Sequence, residues 1–168
     1  MTVEIRDSAS AASSTIQKSK PAWLLSDGTI RDFSDTTKNY VRFDSVGGSY
    51  YIVVRHRNHL PIESASAVTV SSTAPAFPYD FAASQTQAYG IGGMVQIASG
   101  PEKWAMWSGD VTGNGMINYS GAGNDRAPIL IRIGGTDITA TVSGYYNEDV
   151  NLNGVVKYSG VGNDRGII

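Results

Sequence analysis

Oxygen-bearing side chains recur in this sequence at alternate positions of a tight loop, and they do so twice. Asp110-Val-Thr-Gly-Asn-Gly-Met-Ile-Asn-Tyr-Ser-Gly-Ala-Gly-Asn-Asp-Arg126 is followed by Asp149-Val-Asn-Leu-Asn-Gly-Val-Val-Lys-Tyr-Ser-Gly-Val-Gly-Asn-Asp-Arg165 in the same register. Each copy carries oxygen donors at loop positions one, three and five, glycine at six and an aliphatic residue at eight, which is the opening of a calcium loop. A hard cation such as calcium takes about six to eight oxygens, and alternate residues of a tight loop can all point at it. The spacing therefore predicts two calcium sites. Asp110, Thr112 and Asn114 head the first, and Asp149, Asn151 and Asn153 the second, with the backbone carbonyls of Met116 and Val155 at position seven. Gly115 and Gly154 permit the sharp turn.

The loop endings depart from the standard pattern. Position twelve, where a bidentate acid would close the shell, is Gly121 or Gly160. The next acids are Asp125 and Asp164, so Tyr-Ser-Gly-x-Gly reads as an insertion that delays the closing ligand, with Asn124 and Asn163 as competing closers. Magnesium suits these loops less, because it keeps its waters and a rigid octahedron. Ile117 and Val156, at position eight, are expected to pair across a short strand between the loops. A pair of Asx-turns without an ion is the plainer alternative for one copy. Two copies in register favour the ion.

Holding such loops in place requires a framework, and the rest of the chain reads as mainly β. From residue 1 to 100 the pattern is that of an antiparallel β-sandwich, with strands expected at 2–6, 22–25, 29–33, 40–43, 49–57 and 67–71 and weaker runs at 77–82 and 94–98. In the strongest run Tyr50, Ile52, Val54 and His56 share one face, with Tyr51, Val53, Arg55 and Arg57 on the other. Asp27-Gly28 marks a hairpin turn. The serine- and alanine-rich stretch 8–19 reads as a surface loop, and 71–78 as an irregular connection. Residues 101–168 form a second domain, a small paired calcium-loop module with short helical segments. Between its loops, 126–135 reads as one short helix capped by Asp125, with Pro128 in its first turn and Gly134-Gly135 ending it. Ile129, Leu130 and Ile133 would face the sandwich. A buried strand is the alternative, since β-branched residues crowd the segment.

Composition narrows the function classes. The chain has 168 residues, no cysteine and a formal net charge of -2. Disulfides and thiolate metal sites are therefore absent, and there is no basic excess for nucleic acid. No apolar run reaches membrane-spanning length. Met1 leads directly into the alternating Thr2-Val-Glu-Ile-Arg6, so the chain reads as a mature or trimmed piece. His56 and His59 flank Arg57-Asn58, and two histidines without a third ligand make a weak zinc or catalytic site. Arg55, His56, Arg57 and His59 are better read as partners for turn carbonyls and acids. There is no nucleophile elbow and no phosphate loop, so the reading is not an enzyme. Trp104, Trp107, Tyr145 and Tyr146 raise a carbohydrate-binding alternative, against which Trp107 and Tyr146 precede each loop at the same spacing, as core packing beneath it would require.

Residues 109 to 168 resemble the dockerin-like, EF-hand-type calcium repeats of secreted bacterial surface proteins, in the variant carrying Tyr-Ser-Gly-x-Gly-Asn-Asp-Arg. Gly48-Ser-Tyr-Tyr-Ile-Val-Val-Arg-His-Arg-Asn-His-Leu60 is similar to the segment preceding such repeats. Leu25-Ser-Asp-Gly, Val41-Arg-Phe and Gly48-Ser-Tyr-Tyr-Ile-Val-Val resemble prealbumin-like or carboxypeptidase-regulatory-like sandwiches. The resemblance implies an extracellular, secreted or cell-surface module, stabilised by calcium and without catalysis, serving as an adhesin segment or a subunit of a surface assembly or filament. The expected partner is the chain itself, joined through β-edges with Thr2 to Arg6 as the donated strand, or a cell-surface protein or glycan.

Overall fold

A computed structural model describes residues 1–9, 14–71, 78–97 and 102–168. The protein is mainly β, its sheets antiparallel and its helix content small. It divides into two units: Met1–Arg55 with Pro61–Met106, and His56–Leu60 with Trp107–Ile168. The boundary expected at 100/101 lies outside the described residues, as do 10–13 of the expected surface loop, 72–77 of the expected connection and one end each of the expected runs 77–82 and 94–98.

The first unit is built on a six-stranded antiparallel sheet. Its strands are β1 (Thr2–Arg6), β2 (Ile16–Leu24), β3 (Ile30–Asp32), β4 (Gly48–Arg55), β5 (Ile62–Glu63) and β6 (Val68–Val70). The order is β3-β2-β1-β4-β5, with β6 also on β4. Alternation in β1 puts Val3 opposite Val54 and Ile5 opposite Ile52, so aliphatic pairs line one face. On the other face the buried Glu4 carboxylate receives Arg6 Nη2 at 2.8 Å and Arg55 Nε at 2.9 Å. Val3, Ile5, Ala22, Phe43 and Val46 form one core cluster. A second joins Val54 and Ile62 to Ala88 and Met94 and to Trp104, which lies on β8 (Lys103–Ala105), the hairpin partner of β7 (Val95–Ile97).

Three expectations are corrected here. Ile16 to Ser19 is strand, not surface loop, because β1 supplies a partner along its length, with Ile5 opposite Lys18. Pairing overrides the weak strand propensity of Gln17, Lys18 and Ser19. Residues 40–43 do not form a strand: the Arg42 amide donates to Asp32 Oδ2 at 3.0 Å and Lys20 Nζ donates to the Arg42 carbonyl at 2.9 Å, so side chains take the place of a ladder. Around 81–83 the chain turns as a 3-10 helix (Phe81–Ala83) because the Asp80 side chain accepts from the Ala82 amide. Thr2 to Arg6 is paired on both sides within the chain, by β2 and by β4.

The second unit carries both loops. Its elements are α1 (Arg126–Arg132), β9 (Thr141–Ser143), β10 (Val155–Lys157) and a closing 3-10 turn (Arg165–Ile167). The core is Val111, Ile129, Ile133, Val150 and Val156, with Leu130, Tyr146 and Tyr158 packed against it. Ile129, Leu130 and Ile133 thus turn into the loop unit itself, a correction to their expected place against the sandwich. Val111 and Val150 occupy position two of each loop, so the residue next to each leading aspartate is anchored in one shared core. The expected pairing of Ile117 with Val156 is not formed. Val156 instead pairs with Val142 of β9, whose Thr-Val-Ser sequence offers the better strand. Ile117 packs toward Gly109, where a Cβ would stand 3.2 Å from its Cγ2 at a φ of +120°, so glycine is required there.

Candidate metal centre

The loop backbone follows the same path in both copies. Position six is left-handed at Gly115 (φ 81°) and Gly154 (φ 85°), and the inserted segment turns left-handed at Gly121 and Gly160 and again at Gly123 and Gly162. Position four is also left-handed in both, at Gly113 (φ 70°) and at Leu152 (φ 61°). Glycine accepts this conformation freely, whereas leucine accepts it at a steric cost.

Two carboxylates organise each loop. Asp110 accepts from the amides of Asn114 and Gly115, each at 3.0 Å. Asp149 accepts from the equivalent amides of Asn153 and Gly154, also at 3.0 Å. Asp125 takes the Thr112 amide at 3.0 Å and the Thr112 hydroxyl at 3.1 Å on one oxygen, and the Asn118 amide at 2.8 Å on the other. Asp164 repeats this with the amides of Val150, Asn151 and Lys157 at 2.7, 3.1 and 2.8 Å. All four aspartates are buried, at 3% exposure or less. Each pair is therefore wrapped around one turn of chain, the leading aspartate holding positions five and six and the closing one holding positions three and nine.

The remaining donors fall into place around these pairs. Asn114 and Asn153 accept from the amides of position seven, Met116 and Val155, at 2.8 and 2.9 Å. Asn151 accepts from the Asn153 amide at 3.0 Å. The Gly144 amide donates to the Gly154 carbonyl, so the antiparallel alternation turns the carbonyl of Val155 away from β9. Among the described residues no group of three or more histidines or acids gathers at one point. An ion here would draw on two carboxylates per loop, with amide, hydroxyl and carbonyl oxygens completing its shell.

The competing closers have another task. Asn124 accepts from the Ala127 amide at 3.0 Å and donates to the Gly121 carbonyl at 2.8 Å. Asn163 does the same with the Gly166 amide and the Gly160 carbonyl. Asn124 thus caps α1, correcting the expectation that Asp125 does so; Asp125 makes no side-chain cap bond. The arginines that end each repeat also have a structural role, with Arg126 lying 3.7 Å over the Tyr119 ring and Arg165 4.9 Å over Tyr158.

Electrostatics distinguish the two loops. Burial pushes the Asp164 carboxyl above the usual carboxylate range, and the charge of the facing Asp149 adds to this. Arg57 donates to Asp149 Oδ2 at 3.1 Å and lies 3.6 Å over the Tyr145 ring. Asn58, fully buried, donates to the carbonyls of Asn147 and Asp149 at 2.9 and 2.7 Å. Sequence reasoning assigned Arg57 to an acid without finding which one, and it missed Asn58; the only signal for either was a polar cluster ending a strong strand run.

His56 and His59 place their Nδ1 atoms 3.0 Å apart, and His59 Nδ1 lies 2.8 Å from Asn58 Oδ1. Since the Asn58 amide nitrogen is a donor, its oxygen is the acceptor, and the shared proton sits on His59. Burial, followed by the neighbouring imidazole, pushes His56 down to about 4. Of the aromatic residues, Tyr146 is half-buried against the loop core, whereas Trp107 is 40% exposed and Tyr145 77%. Core packing beneath each loop therefore describes Tyr146 and not Trp107.

No family model, curated protein or solved structure matches the chain.

Proposed function

We propose that the second unit is a paired calcium-loop module and that the protein is a non-catalytic, calcium-stabilised structural component of an extracellular surface assembly. The carrying observation is the burial of two aspartates in each loop, held by the same pattern of amides. Burying like charges together is costly unless something opposite in charge joins them. In this reading Asp110, Thr112, Asn114, the Met116 carbonyl and Asp125 hold one ion, and Asp149, Asn151, Asn153, the Val155 carbonyl and Asp164 the other. The first unit is read as a β-sandwich in which the β7–β8 hairpin covers part of the main sheet, the Trp104 and Met94 contacts supporting this.

With two carboxylates per loop, affinity belongs to the extracellular class, roughly 0.1 to 1 mM. Thermal unfolding with calcium and with a chelator tests the reading, and light scattering of the same samples reports assembly. Calcium is expected to raise the melting temperature. Coincident curves would remove the ion assignment. A glycan-binding role is the second reading, supported by the exposed Tyr145 ring; retention of a calcium-loaded monomer on immobilised polysaccharide would favour it.

A further inference from the structure

We propose that the two loops are unequal: the Arg57 guanidinium is the built-in cation of the Asp149 loop, so the Asp110 loop fills with calcium first and the Asp149 loop at least tenfold later. This rests on the calcium reading of both loops.

The duplication supplies its own control. Position-one aspartates are buried alike and accept the same two amides at the same 3.0 Å in both copies. They differ in their charged neighbours. Asp149 Oδ2 carries Arg57 at 3.1 Å, whereas among the described residues no salt bridge reaches Asp110 or Asp125. Both members of the Arg57–Asp149 pair are withdrawn from water, with side chains 11% and 2% exposed.

Arg57 is not free to step aside. One face of the guanidinium is covered by Tyr145 at 3.6 Å, and the next residue, Asn58, is fixed by two carbonyls of the loop. Its Nε and Nη1 are buried and have no hydrogen-bond partner, so Asp149 is its one anionic contact among the described residues. A calcium ion on Asp149, about 2.4 Å from the carboxylate oxygens, would face this guanidinium across a single carboxylate. It would also withdraw the charge that compensates a buried cation, which is the costly way to break such a pair. Ion and arginine thus compete for Asp149. In the Asp110 loop the two buried carboxylates are met, among the described residues, by amide and hydroxyl dipoles and by no cation, so the added ion has no such rival.

The test is a calcium titration of the full chain followed by amide resonances in a two-dimensional nitrogen–proton spectrum. Gly115 and Gly154 each donate to their own leading aspartate and report the loops separately in the unaltered protein. Gly115 is expected to saturate first, with Gly154 responding at tenfold or more higher calcium. Arg57→Gln should then bring the Gly154 transition to lower calcium by about the same factor, and leave Gly115 unmoved. If Arg57→Gln does not fold, the unaltered protein still decides. Two transitions at the same calcium concentration overturn the inference while leaving the calcium reading intact, as does an unshifted Gly154 transition in a folded Arg57→Gln chain. No response at either glycine overturns the calcium reading itself.

Discussion

Asn124 and Asp125 are consecutive in sequence and opposite in duty: Asn124 turns outward to accept from the Ala127 amide of α1, while Asp125 turns inward to receive Thr112 and Asn118. The same division holds for Asn163 and Asp164. Asp125→Ala is therefore expected to abolish most of the calcium-induced rise in melting temperature from the first loop, on the order of 1.4 kcal/mol at ten times the dissociation constant. Asn124→Ala should cost about 1 kcal/mol through the lost cap and leave the calcium response intact. Paired melting curves for the two variants check this, and a response lost in Asn124→Ala alone would reverse the assignment.

Position four supplies a second comparison between the copies. Leu152 is held at a φ of 61° where the first loop has Gly113, and its side chain is 44% exposed, so little packing is lost on removing it. Leu152→Gly is expected to stabilise the protein by about 1 kcal/mol. Gly113→Leu should destabilise it by a similar amount. Denaturant midpoints measured at fixed calcium decide between these outcomes and no effect.

The histidine pair predicts a pH dependence. An unfolded imidazole titrates near about 6.5, whereas His56 in the fold is pushed down to about 4. Between these values the unfolded chain binds the extra proton, so stability must rise with pH across that window. The contribution is complete above about 6.5 and is lost as pH falls toward 4. Because His56 is only partly buried, it is worth on the order of 1–2 kcal/mol after screening. Protonation at Nδ1 would set two N–H donors against each other across the 3.0 Å contact. His56→Gln should flatten the profile between pH 6.5 and 4; an unchanged slope would assign it to other groups.

What was legible in the sequence was local. Asp110, Gly115, Asp149 and Gly154 announced themselves because a turn and its donors lie within a few residues, and the alternation of Val3 with Ile5 and of Ile52 with Val54 announced two strands. Pairings made at a distance were not legible. Ile16 to Ser19 became strand only through β1, and Val156 chose Val142 over Ile117 because β9 lay ready beside it. Arg57 and Asp149 meet across 92 positions, a separation no local pattern encodes. The choice between Asn124 and Asp125 turned on side-chain direction, which spacing alone leaves open.

The position of β1 makes the last prediction. Thr2 to Arg6 pairs with β2 on one side and β4 on the other, Val3 and Ile5 stand in the core, and Glu4 is the buried anion between Arg6 and Arg55. A strand so placed cannot be lent to a neighbour without opening the sheet. Removing residues 1–6 is therefore expected to unfold the first unit, and Glu4→Ala alone should cost about 2 kcal/mol, chiefly by leaving the largely buried Arg6 without its carboxylate while the more exposed Arg55 turns to water. With β1 so placed, self-association of the intact chain is expected at the outer strands, β3 foremost, which among the described residues has a sheet partner only on its β2 side. Circular dichroism and sedimentation of the truncated and intact chains separate the cases. A truncated chain that keeps its β signature and loses only its ability to assemble would return β1 to the role of a donated strand.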